Sequence, residues 1–333
     1  MRKTEKGKSN KKIYIVVSII AVLLIAAILA VAVMDAKYGI FPERDVNNGE
    51  LEYKGQTYVP RYGIETFLLV GLDKAAADIE NNSYNNDSQA DFLMLMVFDS
   101  VSKTYSAIQI NRDTIAKMDI LGINGKVVGT ATKQIALSHN QGSGGKDSCR
   151  NVARAVSNLF YGVDVNYYMS LTLDSVGIIN DLVGGVTLEV MDDFSELDDN
   201  LGLVKGETVT LSAKQAQAYI QARKDVGDST NQNRMKRQSQ YLEALQKQAE
   251  EQFKNDPNFV VNAISQMSEY MVTDASSGRL ETMSNKMKEY EFKGVKQIDG
   301  NTEIVKNLVE FYPDKDDLMQ TVIESFYELK EEK

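Results

Sequence analysis

The most abrupt feature of the chain is the place where its charges stop. Residues 1–12, MRKTEKGKSNKK, carry six Lys or Arg and one Glu, and residues 13–34 then run without a charged side chain. As a helix, a run of this length crosses ~30 Å of hydrocarbon, which predicts one N-terminal transmembrane helix over 13–34. The basic flank precedes it, so the positive-inside rule makes 1–12 a cytoplasmic tail and places the rest of the chain outside the cell. A cleaved signal peptide is the competing reading, because Ala30, Val31 and Ala32 resemble a cleavage site. The apolar run is longer than the about 7 to 15 residues of a signal core, which favours an anchor in the cell membrane. Either way the folded part is exported. Residues 35–60, with Pro42, Pro60 and many polar side chains, read as a stalk, which leaves 61–333 as an extracytoplasmic domain.

Beyond the stalk the apolar residues come in short runs. Residues 65–70 (ETFLLV) and 92–98 (FLMLMVF) are bounded by polar or turn residues, which fits strands buried on both faces. Residues 78–88, rich in Asn and Ser, read as a loop between them. Residues 99–102 make a tight turn into a strand at 104–110 (TYSAIQI), so the sheet is at least partly antiparallel. Helical patterns follow at 130–139 and, with Ser148 as N-cap, at 149–160. Strands are predicted at 167–173 (YYMSLTL) and 186–190 (VTLEV). Leu211 and Ser212 open a helix that runs to Arg223, and 233–253 is a long charged amphipathic pattern whose apolar residues include Met235, Tyr241, Leu242 and Leu245. Further helices near 258–271, 279–289 and 315–330, with a strand around 294–298, complete the pattern. Strands alternating with helices predict a three-layer α/β/α domain over a mixed central β-sheet.

Composition narrows the chemistry. The chain is 43% hydrophobic and 25% charged, an ordinary globular balance. A single cysteine, Cys149, and a single histidine, His139, exclude an internal disulfide, a thiolate zinc site and any site needing two histidines. Removing the tail's net +5 from the overall −10 leaves about −15 for the remainder, which argues against a nucleic-acid partner. Carboxylates, arginines and a hard cation remain as tools. Ligands in open α/β folds gather at strand ends, and four places qualify. Asp73 follows FLLVGL, Asp91 precedes FLMLMVF, Arg112, Asp113 and Thr114 follow YSAIQIN, and a distal segment carries Arg223, Asp228, Arg234, Arg237 and Gln238. Turn and capping chemistry is the ordinary account of isolated aspartates, and a solvated helix surface of the distal arginines. Two carboxylates brought together, however, require a cation, and oxygen ligands without His or Cys select Mg²⁺ or Mn²⁺ over zinc. Arginine is the best planar donor for bidentate phosphate contacts.

The strings FLLVGLDK, QADFLMLMVFD, INRDT, DLVGGVTLEV and LSAKQAQAYIQARKDVGDSTNQNRMKRQ, in that order from about residue 62 to 245, resemble the successive signature blocks of the LytR-CpsA-Psr family. The resemblance implies an α/β/α fold with a hydrophobic cavity for a polyprenyl tail. It also implies a phosphotransferase that moves a glycopolymer phosphate, such as teichoic acid or capsule, from a polyprenyl pyrophosphate carrier onto peptidoglycan. By position, Asp73 and Asp91 match the acidic pair that holds Mg²⁺. Arg112 matches the arginine of the RD motif and Asp113 orients it, while Arg223, Arg234 and Gln238 match pyrophosphate-binding positions. In this scheme Arg112, Asp113 and Asp91 are the catalytic group, and Phe92 and Leu93 wall the lipid cavity. A wall-sugar hydroxyl, the muramic acid C6 hydroxyl by the same resemblance, attacks the sugar-linked phosphorus.

Two positions depart from the pattern. Gln89 and Gln221 stand where many family members carry arginine, so each removes a permanent positive charge, although an amide still donates weaker hydrogen bonds to the pyrophosphate. A hydrolase, or a noncatalytic envelope sensor that only binds polyprenyl pyrophosphate, is the alternative function. Other signals carry no chemistry. Residues 140–148 (NQGSGGKDS) lack the P-loop glycine and hydroxyl spacing. His139 reads as a structural hydrogen-bonding residue, Cys149 as a small buried side chain, and Asp192, Asp193, Glu196, Asp198 and Asp199 as a solvated loop.

Overall fold

The structure, a computed structural model, describes residues 49–73, 88–256 and 258–330. The basic tail and the predicted span over 13–34 lie outside the described residues, and among the described ones no helix is long and apolar enough to cross a membrane.

Two facing strips of apolar residues decide the layers. The strands in chain order are β1 (Leu51–Tyr53), β2 (Gln56–Pro60), β3 (Ile64–Leu72), β4 (Ala90–Asp99), β5 (Thr104–Ile110), β6 (Ile115–Leu121), β7 (Val127–Gln134) and β8 (Tyr167–Thr172). They continue with β9 (Thr187–Glu189), β10 (Thr208–Thr210), β11 (Met271–Thr273), β12 (Glu291–Gln297), β13 (Gly300–Val305), β14 (Leu308–Pro313) and β15 (Tyr327–Leu329). The main helices are α1 (Lys146–Leu159), α2 (Asp174–Leu182), α3 (Ala213–Gln221), α4 (Asn231–Asn255), α5 (Phe259–Met267), α6 (Ser277–Glu289) and α7 (Lys315–Phe326). The central sheet has the order β11-β8-β3-β4-β5-β12. It is mixed: β3 runs antiparallel to β4 and parallel to β8, and β12 runs parallel to β5. Alternation along β3 and β4 sends Leu68, Val70, Leu93 and Leu95 to one face, where they meet Val152 and Val156 of α1 and Val322 of α7. It sends Phe67, Met94, Met96 and Phe98 to the other, against Leu280 and Met283 of α6. A third cluster joins Val186 and Leu188 to Tyr219 of α3 and Tyr241 of α4. Strands buried on both faces under helices agree with the expected α/β/α arrangement over a mixed sheet.

Several boundaries differ from those the sequence predicts. The stalk does not extend to residue 60. β1 and β2 form a hairpin through Lys54 and Gly55, both at positive φ, and β2 pairs on its other side with β15. Leu51 and Tyr58 pack against the first core cluster, so these residues belong to the folded domain. Residues 130–139 are not a helix. β6 and β7 make a hairpin whose turn closes from Gly125 N to Gly122 O at 2.8 Å, and a short 3-10 turn, Ile135–Ser138, follows. The Asn124-Gly125 pair at the tip is the turn chemistry that overrides the helical period. Ser148 does not cap α1, which starts at Lys146 after Gly145; its buried hydroxyl accepts from Gly144 N at 2.9 Å.

The layered core makes a direct stability prediction. Leu95 of β4 is fully buried, so Leu95→Ala is expected to lower unfolding free energy by about 2–5 kcal/mol. Ile304 on β13 is 77% exposed, and Ile304→Ala should stay within about 0.5 kcal/mol of the parent. Denaturant titration followed by circular dichroism checks both.

Candidate active site at the strand ends

Three neighbouring strands of the central sheet meet at one edge, and each delivers one polar side chain there. In the order β3, β4, β5 these are Asp73, Asp91 and Arg112. Asp73 directly follows β3. The hairpin register pairs Leu93 with Ile110, and continued outward by two residues it sets Asp91 opposite Arg112. One Arg112 terminal nitrogen, Nη1, donates to Asp91 Oδ1, and the other, Nη2, donates to Gln89 Oε1. Arg112 Nε lies 3.7 Å from Asp113 Oδ1. Asp113 is held from two sides: its Oδ1 accepts from Gln134 Nε2 at 3.1 Å, and its backbone N–H donates to Asn111 Oδ1 at 2.9 Å.

A bulge aims Asp91. The β3–β4 register passes from Gly71 opposite Phe92 to Leu72 opposite Ala90, so Asp91 has no partner across the ladder. Strict alternation would send Asp91 to the face opposite Phe92, yet both line one cavity. Glycine is required at the step, because a Cβ on Gly71 would lie 2.9 Å from Phe92 Cβ. Leu93, predicted as a wall of the cavity, lies on the other face of the sheet in the first core cluster, as alternation demands once Phe92 faces the cavity.

The distal block approaches from the helices. Thr230 caps α4 by accepting from Asn233 N at 3.1 Å. Arg234, Gln238, Tyr241, Leu242 and Leu245 then fall on one stripe of α4 facing the cavity. Gln238 Oε1 accepts from Gln109 Nε2 at 3.0 Å, and its own Nε2 donates to Ile220 O at 3.1 Å. Asn231 ties the two halves of the site together. It donates to Asn111 Oδ1 at 2.7 Å and accepts from Arg234 Nη2 at 2.6 Å, so the Arg112 strand end and the Arg234 helix share one amide bridge.

The cavity between sheet and helices measures about 230 Å³. Its walls are apolar, including Leu69, Leu171, Val176, Ile179 and Ile220, and its polar end holds Asp73, Asp91, Gln221, Arg234 and Gln238. Burial raises the Asp91 carboxyl above its usual value, against the attraction of Arg112, Arg234 and Arg223. Burial raises Asp113 in the same way, opposed by the same three arginines. Burial also lowers Arg234, which Asp91 counteracts. Arg223 thus acts electrostatically on this group, in which Asp73, Asp91, Arg112, Asp113, Arg234 and Gln238 come together, whereas Asp228 lies apart beside Asp192 and Asn233. Arg112 Nε, Arg234 Nε and Asp113 Oδ2 are buried with no hydrogen-bond partner.

The two glutamines act differently from expectation. Gln89 presents its carbonyl to Arg112, and Gln221 Nε2 donates to Asp73 Oδ1 at 2.8 Å. Each therefore orients a neighbour within the site. Arg237 is not a solvated helix arginine: its side chain is fully buried, its Nε lies 3.4 Å from Asp192 Oδ2, and its guanidinium lies 5.2 Å from the Phe194 ring centroid. Its Nη2 donates to Ala222 O, which braces the segment that carries Arg223. Asp192 is accordingly buried, unlike the rest of its acidic stretch. His139 is buried beside Ser88 and Cys149, and burial pushes the Cys149 thiol up to about 12. Sequence reasoning missed Asn111, Asn231, Gln109 and Gln134. For Asn111 and Asn231 the available signal was a polar residue beside a charged one at a strand end and a helix start.

A divalent cation fits the donor set. Asp73 and Asp91 both face the cavity with oxygen ligands only. Among the described residues no group of three or more His, Cys, Asp or Glu forms a protein-only cage. Mg²⁺ needs no such cage, since one or two carboxylates with waters and substrate phosphates suffice.

Over 180 residues the chain is 29% identical to a Bacillus licheniformis protein named polyisoprenyl-teichoic acid–peptidoglycan teichoic acid transferase TagU, a match covering 54% of this chain and 50% of that protein. The chain thus spans about half the length of the curated relatives it matches. Among solved structures, B. subtilis TagT aligns with a TM-score of 0.59 at 17% identity, over 86% of this chain and 96% of TagT. The YwtF (TagT) protein with bound octaprenyl pyrophosphate lipid aligns with a TM-score of 0.55 at 16% identity, over 79% of this chain and 89% of that one. Both likenesses show the fold. With the LytR_cpsA_psr family profile matched across residues 45–325, the chain belongs to that family.

Proposed function

We propose that the protein is a phosphotransferase that moves a glycopolymer phosphate from a polyprenyl pyrophosphate carrier onto peptidoglycan. One observation carries this reading: an apolar cavity ends in a cluster of arginines and carboxylates. A prenyl chain is driven from water into the apolar part, and a pyrophosphate at its end meets Arg234, Arg112 and Arg223. The name of the relative TagU and the octaprenyl pyrophosphate lipid in YwtF support the same ligand class and reaction.

In this reading the acceptor hydroxyl oxygen forms a bond to the sugar-linked phosphorus, and the phosphoanhydride bond to the prenyl phosphate breaks. The prenyl phosphate leaves with the bonding electrons, and the hydroxyl proton passes to one of the site's aspartates. Arg112, fixed by Asp91 and Gln89, and Arg234, fixed by Asn231, steady the non-bridging oxygens as charge moves to the leaving group. Asp73 and Asp91 would hold Mg²⁺ or Mn²⁺, which would supply positive charge against the pyrophosphate. Residues 13–34 anchor the chain in the cell membrane, with residues 1–12 in the cytoplasm and the domain outside.

Arg112→Ala is expected to reduce transfer about a hundredfold or more, by removal of one preorganised charged donor. The check is a donor-to-wall transfer assay with purified lipid-linked polymer and peptidoglycan. Unimpaired transfer removes the assignment, while release of unattached polymer by the native chain makes the protein a hydrolase and lipid binding without turnover makes it a sensor.

The raised Asp91 carboxyl sets a pH dependence. Asp91 works as an anion, so protonation removes the charge that holds Arg112. In the metal-free protein the Asp91 carboxyl is expected to titrate above the ordinary carboxylate value of 3.8, and added Mg²⁺ to move it down. An NMR titration without metal that places it at or below that value contradicts this.

A further inference from the structure

The cavity stops short along the sheet face that walls it. On β3 its lining ends at Leu69, and the next residue on that face, Phe67, is 6% exposed within the third core cluster. The strand register sets what flanks this end. Leu69 lies opposite Met94 of β4 and Met169 of β8, and Phe67 lies opposite Met96 and Tyr167. Met94 and Met169 share the cavity's face, each two residues from a lining residue, Phe92 and Leu171. Met283 of α6 belongs to the same cluster, and Met271 and Met287 pack against it. Six of the chain's 13 methionines thus gather beside and beyond the apolar end of the cavity, and methionine, unbranched and readily repacked, makes a floor that yields.

Length decides what such a floor can do. From Asp73 to Leu69 the cavity follows about 13 Å of strand at ~3.3 Å per residue. From Arg234 to Leu245 it follows about 16 Å of α4 at ~1.5 Å per residue. An isoprene unit adds four carbon–carbon bonds, about 5 Å when extended, so the cavity takes about three units. The octaprenyl chain bound to YwtF has eight. The outer units of a long carrier need a second apolar site, because hydrocarbon is driven from water. Resting on the lipid-pyrophosphate reading above, we infer that the methionine cluster is a second prenyl-binding compartment, which takes the isoprene units beyond about the third when Met94 and Met169 swing aside. A tail of three units stops at Leu69, and a longer one reaches Met96 and Met283.

The test uses the full-length chain in detergent, labelled with carbon-13 at the methionine methyl groups. Each signal is assigned by a methionine-to-leucine substitution, which conserves volume. Octaprenyl pyrophosphate, with eight units, is expected to shift the Met96 and Met283 signals, and farnesyl pyrophosphate, with three, to leave them in place. Met94→Ile combined with Met169→Ile stiffens the floor with side chains that suit a strand. It should weaken octaprenyl pyrophosphate binding about tenfold and leave farnesyl pyrophosphate binding unchanged. Met96 and Met283 signals that move equally for both ligands overturn the inference, as does native octaprenyl affinity, or an equal loss for both ligands, in the double variant. Farnesol separates the two levels. A native chain that binds farnesyl pyrophosphate no better than farnesol removes the lipid-pyrophosphate reading and this inference with it, whereas preferred pyrophosphate binding with Met96 and Met283 unmoved by the octaprenyl ligand removes the second compartment alone.

Discussion

The pairing of Asp91 with Arg112 at the end of the β4–β5 hairpin is the constraint on which the site depends. Neither residue could be placed by its own chemistry, because a half-buried carboxylate and guanidinium far apart would each be strongly destabilising. The hairpin register brings them opposite one another, and the bulge at Leu72 turns Asp91 toward the cavity. Once the pair exists, Gln89 and Asp113 complete the guanidinium's surroundings, and the Asn111–Asn231 bridge fixes the distance to Arg234. The positions of the charges follow from backbone geometry.

The same sheet edge solves a two-solvent problem. A lipid-linked phosphate has one end that avoids water and another that requires charge compensation. Here the alternation of β3 and β4 supplies the apolar wall through Leu69 and Phe92, and the strand termini supply polar groups a residue or two away. The helices repeat the division along a single stripe of α4, from Arg234 and Gln238 to Leu242 and Leu245. The fold converts a sequence change of a few positions into a change of environment.

Much of this was legible in the residues themselves. The runs ETFLLV, FLMLMVF and TYSAIQI are apolar, so their strand character and layer position follow from periodicity, and Asp73, Asp91 and Arg112 stood out because polar side chains interrupt or follow such runs, whereas the roles of Arg223, Arg234, Gln238, Gln89 and Gln221 came from the family resemblance. The β6–β7 hairpin was missed because VVGTATKQ is exposed and carries no core pattern, although Asn124-Gly125 announced its turn. The first two strands were hidden in a polar segment that is closed only by β15, a pairing across most of the chain that no local signal encodes. The partners of Gln89 and Gln221 were illegible for a similar reason, since composition tells what an amide can bond to but not which neighbour it meets.

Those two glutamines sit on the rim, and their described side-chain bonds are to Arg112 and Asp73 alone. No backbone register or packed layer depends on them. An arginine at either position would raise the positive charge of the pocket, but at position 89 it would also remove the acceptor that Gln89 offers Arg112, so the charge of the pocket and the orientation of Arg112 are set together.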